Sequence, residues 1–209
     1  MVLGRSGYVS AVRGYPLGQL SMISVTSQFI TLWVGLVLGT IGVIVFNGLN
    51  LWGTLITGLL IFLSLTIFST VFHKLIILMT KKILKKNLDI PILGFGQTLK
   101  LLPWFSIPWL SWAVGFYFLV SSLVPGYINP FIGLAFPLAG TLGILAIIAP
   151  GGIGVREGLL AGYLNLAGMD IQQAAVIAIT SRLWFLVGEV AIFSTGIIID
   201  RLRKKNSPA

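Results

Sequence analysis

The sequence predicts an all-α polytopic membrane protein with about six membrane-penetrating helices, one of them short or re-entrant. Three observations carry that prediction. Of the 209 residues, 56% are hydrophobic and only 9% charged, with a mean hydropathy of +1.01. Apolar runs recur at about 20 residues, the length needed to cross roughly 30 Å of hydrocarbon. One such region is interrupted by Ala149-Pro150-Gly151-Gly152-Ile153-Gly154-Val155-Arg156-Glu157-Gly158, which holds a proline, a glycine cluster and an adjacent pair of opposite charges. Lipid-exposed irregular backbone is not tolerated at membrane depth, so this break is expected to line a protein-enclosed cavity or sit at the interface.

The same composition narrows function. Fourteen Lys and Arg against five Asp and Glu give a formal net charge of +9. The basic residues cluster at the ends of apolar runs, as cytoplasmic flanks do, so the charge reports topology rather than nucleic-acid binding. There is no cysteine and a single histidine, His73. A disulfide framework, a thiolate metal site and a histidine-rich centre are thereby excluded, and neither metal nor cofactor is expected. The first long apolar run begins near Phe29, too late and too long for a signal-peptide core.

In chain order, residues 1–27 carry Arg5 and Arg13 and are read as cytoplasmic or interfacial, with Pro16 interrupting any continuous helix. The first span is about 28–48 and places Gly35 and Gly39 on one face, where a neighbouring helix can come close. A short uncharged turn leads to a second span, about 51–72. Five lysines between Lys74 and Lys86 then mark the cytoplasmic side. The third span, about 103–124, opens with Pro103, Trp104, Pro108, Trp109 and Trp112, which predicts a kinked start anchored by tryptophan at the interface. An uncharged outer turn at 124–130 precedes a fourth span, about 131–149.

Parity then constrains the rest. The tail Arg201, Arg203, Lys204 and Lys205 reads as cytoplasmic, yet only one long span, about 172–199, separates it from Pro150. Residues 154–168 must therefore also enter the membrane, as a short crossing or one half of a re-entrant pair. The helix is expected to restart near Gly154 or Val155, and Asp170 is expected to cap the last helix. The whole of 1–209 is read as one integral membrane domain of the cytoplasmic membrane, with both termini cytoplasmic.

The last span carries Arg182 and Glu189, two turns apart and hence on one face. Intramembrane ionisable residues normally face the bundle interior, pair, and mark function. A glycine-rich break before a helix start presents free N–H groups and a positive dipole end, both favourable to an anion such as phosphate. Arg156, in that first turn, has the wrong sign to complement the dipole and so answers some other charge. The candidate substrate-binding residues are Gly151, Gly152, Gly154, Arg156, Glu157, Arg182 and Glu189. Two readings remain open. The charges hold a lipid headgroup, or Arg156 pairs with Glu189 and Arg182 with Glu157 while the glycines only permit close packing.

These residues carry a resemblance. Pro150-Gly-Gly-Ile-Gly-Val-Arg-Glu157, followed by small and apolar residues, Gly168, an alanine-rich helix and Arg182, resembles the signature of the lysylphosphatidylglycerol synthase transmembrane-region family of flippase-like membrane domains. Gly4-Arg-Ser-Gly-Tyr-Val-Ser-Ala-Val-Arg13 is similar, less specifically, to a motif ahead of the family's middle helices. Members usually run longer, so the resemblance implies a chain that lacks the first helices or starts late. It also implies handling of polar membrane lipids: an anionic or aminoacylated phospholipid, or a polyprenyl-linked precursor. A flippase-like carrier is the leading expectation. The alternatives are a membrane-embedded lipid-modifying enzyme, weakened by the lack of a paired-aspartate motif for Mg²⁺, and a non-transporting subunit. The glycine faces of such a subunit would dock a second copy or a partner enzyme.

Overall fold

The computed structural model of the chain describes residues 7, 10, 11, 14, 17–69, 95–145 and 154–205. These form α1 (Leu17–Asn47), α2 (Leu51–Phe68), α3 (Phe95–Leu123), a 3-10 helix (Pro130–Leu134) running into α4 (Ala135–Leu145), α5 (Val155–Leu166) and α6 (Ile171–Lys205). No strand occurs among the described residues, and the fold is all-α. Three stretches are long and apolar enough to cross a membrane: Ile23–Asn47, Lys100–Leu123 and Ile171–Ile199. The shortest, at 24 residues, rises about 36 Å, more than the roughly 30 Å hydrocarbon core. Leu51–Leu65 and Pro130–Leu145 are shorter apolar helices. The lysine cluster 74–86, His73, Arg5 and Arg13 lie outside the described residues.

Local chemistry explains where the helices run. The helix that carries the expected first span begins earlier, at Leu17, directly after Pro16 in the sequence. Its polar segment does not break it, because Ser27 Oγ donates to the Ile23 carbonyl and Thr31 Oγ1 to the Ser27 carbonyl, each at 2.8 Å. Helix α3 continues through Pro103 and Pro108. Each proline withholds one N–H, leaving the carbonyls of Leu99 and Trp104 without their usual helical donors, a loss that membrane helices tolerate. At the 3-10 helix, the Asn129 side chain accepts the Phe131 N–H at 3.0 Å, and Pro130 occupies the first position, where no N–H is needed.

The tryptophan-anchored start expected for the third span requires a correction. Trp104 is exposed, but Trp109 is only 8% exposed. Its Nε1 donates to the Thr31 carbonyl of α1 at 2.7 Å, and its ring covers Gly35 of α1 and Gly140 of α4. Burying a large ring against two glycines outweighs interfacial anchoring, because the indole N–H finds its partner inside.

The centre of the bundle is α4, held against α1 by small residues. A Cβ at Gly39 would lie 2.5 Å from Leu138 Cβ, and one at Gly35 would collide with Thr141. One at Gly42 would strike the Tyr163 hydroxyl and sit 2.9 Å from Leu134 Cβ. These contacts run in opposite chain order, so α1 and α4 are antiparallel, packed at the close approach that small residues allow. Trp33 Nε1 ties α1 to α2 through Ser64 Oγ at 2.7 Å. Leu36, Phe116, Val120, Ala135, Leu160 and Leu164 fill the core between α1, α3, α4 and α5.

Helices α5 and α6 form an antiparallel hairpin. Helix α5 ends in a Schellman motif: Gly168, at φ +92°, donates to the Asn165 carbonyl at 2.9 Å, and Met169 N–H to the Leu164 carbonyl at 3.0 Å. Asp170 Oδ2 then accepts the N–H groups of Gln172 at 2.9 Å and Gln173 at 3.3 Å, capping α6. The 12 residues of α5 rise only about 18 Å. Its start is therefore level with the middle of the apolar stretch of α6, part-way along the bundle rather than at its end.

Candidate functional site

Helix α5 begins at Gly154, whose φ of +82° and ψ of −44° no side-chain-bearing residue adopts comfortably. Glu157 reaches back with Oε2 to accept the Gly154 N–H at 2.7 Å. That is one half of a capping box. The other half is missing because glycine has no side chain to return the bond. The other carboxylate oxygen, Oε1, accepts from Arg182 Nη1 on α6. One carboxylate thus closes the start of α5, complements its dipole and ties it to α6.

Arg156 goes the other way. Its guanidinium carbon lies 4.4 Å from the ring centroid of Phe136 on α4 and 5.5 Å from that of Phe185 on α6. These distances are within cation–π range. The two rings pack at 4.0 Å, and Trp112 of α3 stacks on Phe136 at 5.3 Å with an interplanar angle of 2°. Trp112 also meets Phe185 at 4.5 Å. Three helices therefore supply an aromatic wall for a single arginine. Gly143 of α4 lies beside Arg156, where a Cβ would be 3.4 Å from Arg156 Cβ, an ordinary contact. Arg156 Nη2 is buried and has no hydrogen-bond partner among the described residues. Burial of an unsatisfied donor costs about 1–3 kcal/mol, more for a charged group.

The family model described as Lysylphosphatidylglycerol synthase TM region matches residues 3–190, which includes every candidate site residue. The chain belongs to that family. Comparison with curated proteins and with solved structures gives no match. As a member of the lysylphosphatidylglycerol synthase TM region family, the chain is a membrane protein of a lipid-related kind.

Within this family member the sequence-derived candidates divide. Gly154, Arg156, Glu157 and Arg182 lie together at the start of α5. Glu189 is exposed on α6 and forms no ion pair among the described residues. Gly151 and Gly152 lie outside the described residues. Of the two pairings considered from the sequence, Arg182–Glu157 forms, whereas Arg156 rests on rings rather than on Glu189. Sequence reasoning missed Phe136, Phe185 and Trp112. Only Phe185 left a trace, three residues after Arg182 and so on the same helix face.

Proposed function

We propose that this chain is a flippase-like lipid-handling protein of the cytoplasmic membrane, and that the start of α5 receives the phosphate of a polar phospholipid or lipid-linked precursor. The observation that carries the reading is the buried Nη2 of Arg156, which has no hydrogen-bond partner among the described residues. Glu157 is already bonded to Arg182 and to the Gly154 N–H, so it does not neutralise its neighbour directly. That leaves a cation at the positive end of a helix, a pairing that a phosphate oxygen relieves on both counts. Guanidinium presents a planar fork that matches phosphate in two bonds. In this reading the whole chain is one integral membrane unit, with the basic C-terminal end of α6 on the cytoplasmic side.

Mass spectrometry of lipids that co-purify in detergent tests the reading. The wild-type protein is expected to retain a phosphate-bearing lipid that Arg156→Ala loses and Arg156→Lys keeps in part. Equal lipid retention by all three proteins would overturn it.

A further inference from the structure

A crevice of about 320 Å³ opens along α5 beside the Arg156 site, and Arg156 is not among the residues that line it. Its walls come from four helices, with Val43 on α1, Ile56 on α2, Leu142 on α4 and Leu159 on α5. Gly158, Leu159 and Gly162 follow Arg156 by about 200°, 300° and 240° around the helix, so the crevice opens on a face of α5 adjoining the site described above. The polar side chains on its wall are engaged elsewhere. The Tyr163 hydroxyl donates to the Phe131 carbonyl at 2.9 Å, and Asn165 Nδ2 donates to the Met169 carbonyl at 3.0 Å. The remaining lining is mainly apolar, with Trp52 at its edge.

Two glycines, Gly158 and Gly162, line the crevice one helical turn apart, and a Cβ on either would meet nothing within 4 Å. Neither is required by a close neighbour or by a positive φ. Glycine is a poor helix former, so their effect is to keep the crevice deep. An engineered apolar cavity of about 150 Å³ stays dry and takes up benzene; this crevice offers roughly twice that room. A flexible hydrocarbon chain matches this apolar lining in chemistry, and the volume accommodates part of one chain.

We propose that the crevice holds one acyl or polyprenyl chain of the lipid whose phosphate Arg156 receives, so that a single lipid lies along α5 with its phosphate at the helix start. The inference rests on the headgroup reading for the identity of the lipid, and on the crevice alone for the place of its chain.

A phospholipid with a diazirine in mid-chain, supplied at limiting amounts to the detergent-purified protein, is the probe, and peptide mass spectrometry maps the adducts. Saturable labelling of Leu142 and Leu159 is expected, falling at least tenfold in Gly162→Leu and in Gly158→Leu. Both variants fill open space with a better helix former, so their melting temperatures should hold or rise, which separates a blocked crevice from a damaged fold. Labelling unchanged in both variants overturns the proposal. So does labelling confined to the outer face of α6, which is boundary lipid only, or cross-linking between two copies of the chain through the crevice. The two readings fail separately. Crevice labelling that persists in Arg156→Ala while lipid retention is normal faults the headgroup site alone. Retention lost in Arg156→Ala with no crevice labelling in the wild type faults the chain site alone.

Discussion

Glu157 and Arg182, 25 positions apart in the chain, form an ion pair that joins the first turn of α5 to the middle of α6. The same carboxylate accepts the Gly154 N–H. Its removal therefore loses two interactions, whereas removal of Arg182 loses one. Glu157→Gln is expected to destabilise the protein by about 1–3 kcal/mol, combining a weakened cap with a stranded cation. Arg182→Met should have a smaller effect, because it removes only the ion pair and leaves the Glu157 cap on the Gly154 N–H in place. Thermal melts of the two single variants and the double variant check this: the double should fall short of the sum.

The start of α5 makes a second prediction by contrast. Gly154 has φ +82°, whereas Gly158 lies within the helix, and a Cβ at either would meet no atom within 4 Å. Gly154→Ala should destabilise by about 1–2 kcal/mol through torsion alone. Gly158→Ala should stabilise by roughly 0.5–1 kcal/mol. Opposite shifts in melting temperature from the same chemical change, four residues apart, are the expected result.

The α1–α4 contact yields a third. Gly39→Ala places a methyl 2.5 Å from Leu138 Cβ, whereas Gly58→Ala on α2 meets nothing within 4 Å. The first should lose about 1–3 kcal/mol by overpacking, and the second should be neutral or mildly stabilising. Detergent-denaturation midpoints of the two variants distinguish them.

What the sequence discloses follows from how local each feature is. The restart of the helix at Val155 behind Gly154, the Asp170 cap and the Gly35–Gly39 face all depend on residues within a turn or two of one another. Each can be read from spacing. The environment of Arg156 cannot, because Phe136, Phe185 and Trp112 come from three other helices and converge only on packing. The same limit governs Trp109. Its position beside two prolines suggests an interface, but its burial is decided by Gly35 and Gly140, two glycines that belong to other helices. Glu189 shares a helix face with Arg182 by spacing, yet spacing does not show which neighbour covers that face, and the side chain is exposed.

Lipid transfer in reconstituted liposomes tests the central claim most directly, with wild type, Arg156→Ala and Arg156→Lys compared at equal insertion. The headgroup site predicts that Arg156→Ala abolishes transfer of a phosphate-bearing lipid. Arg156→Lys should restore it only partly, because lysine keeps the charge but lacks the planar fork. Neither substitution removes a hydrogen bond described for Arg156 Nη2, so both proteins should insert and purify as the wild type does. Transfer by Arg156→Ala at the wild-type rate would contradict the account.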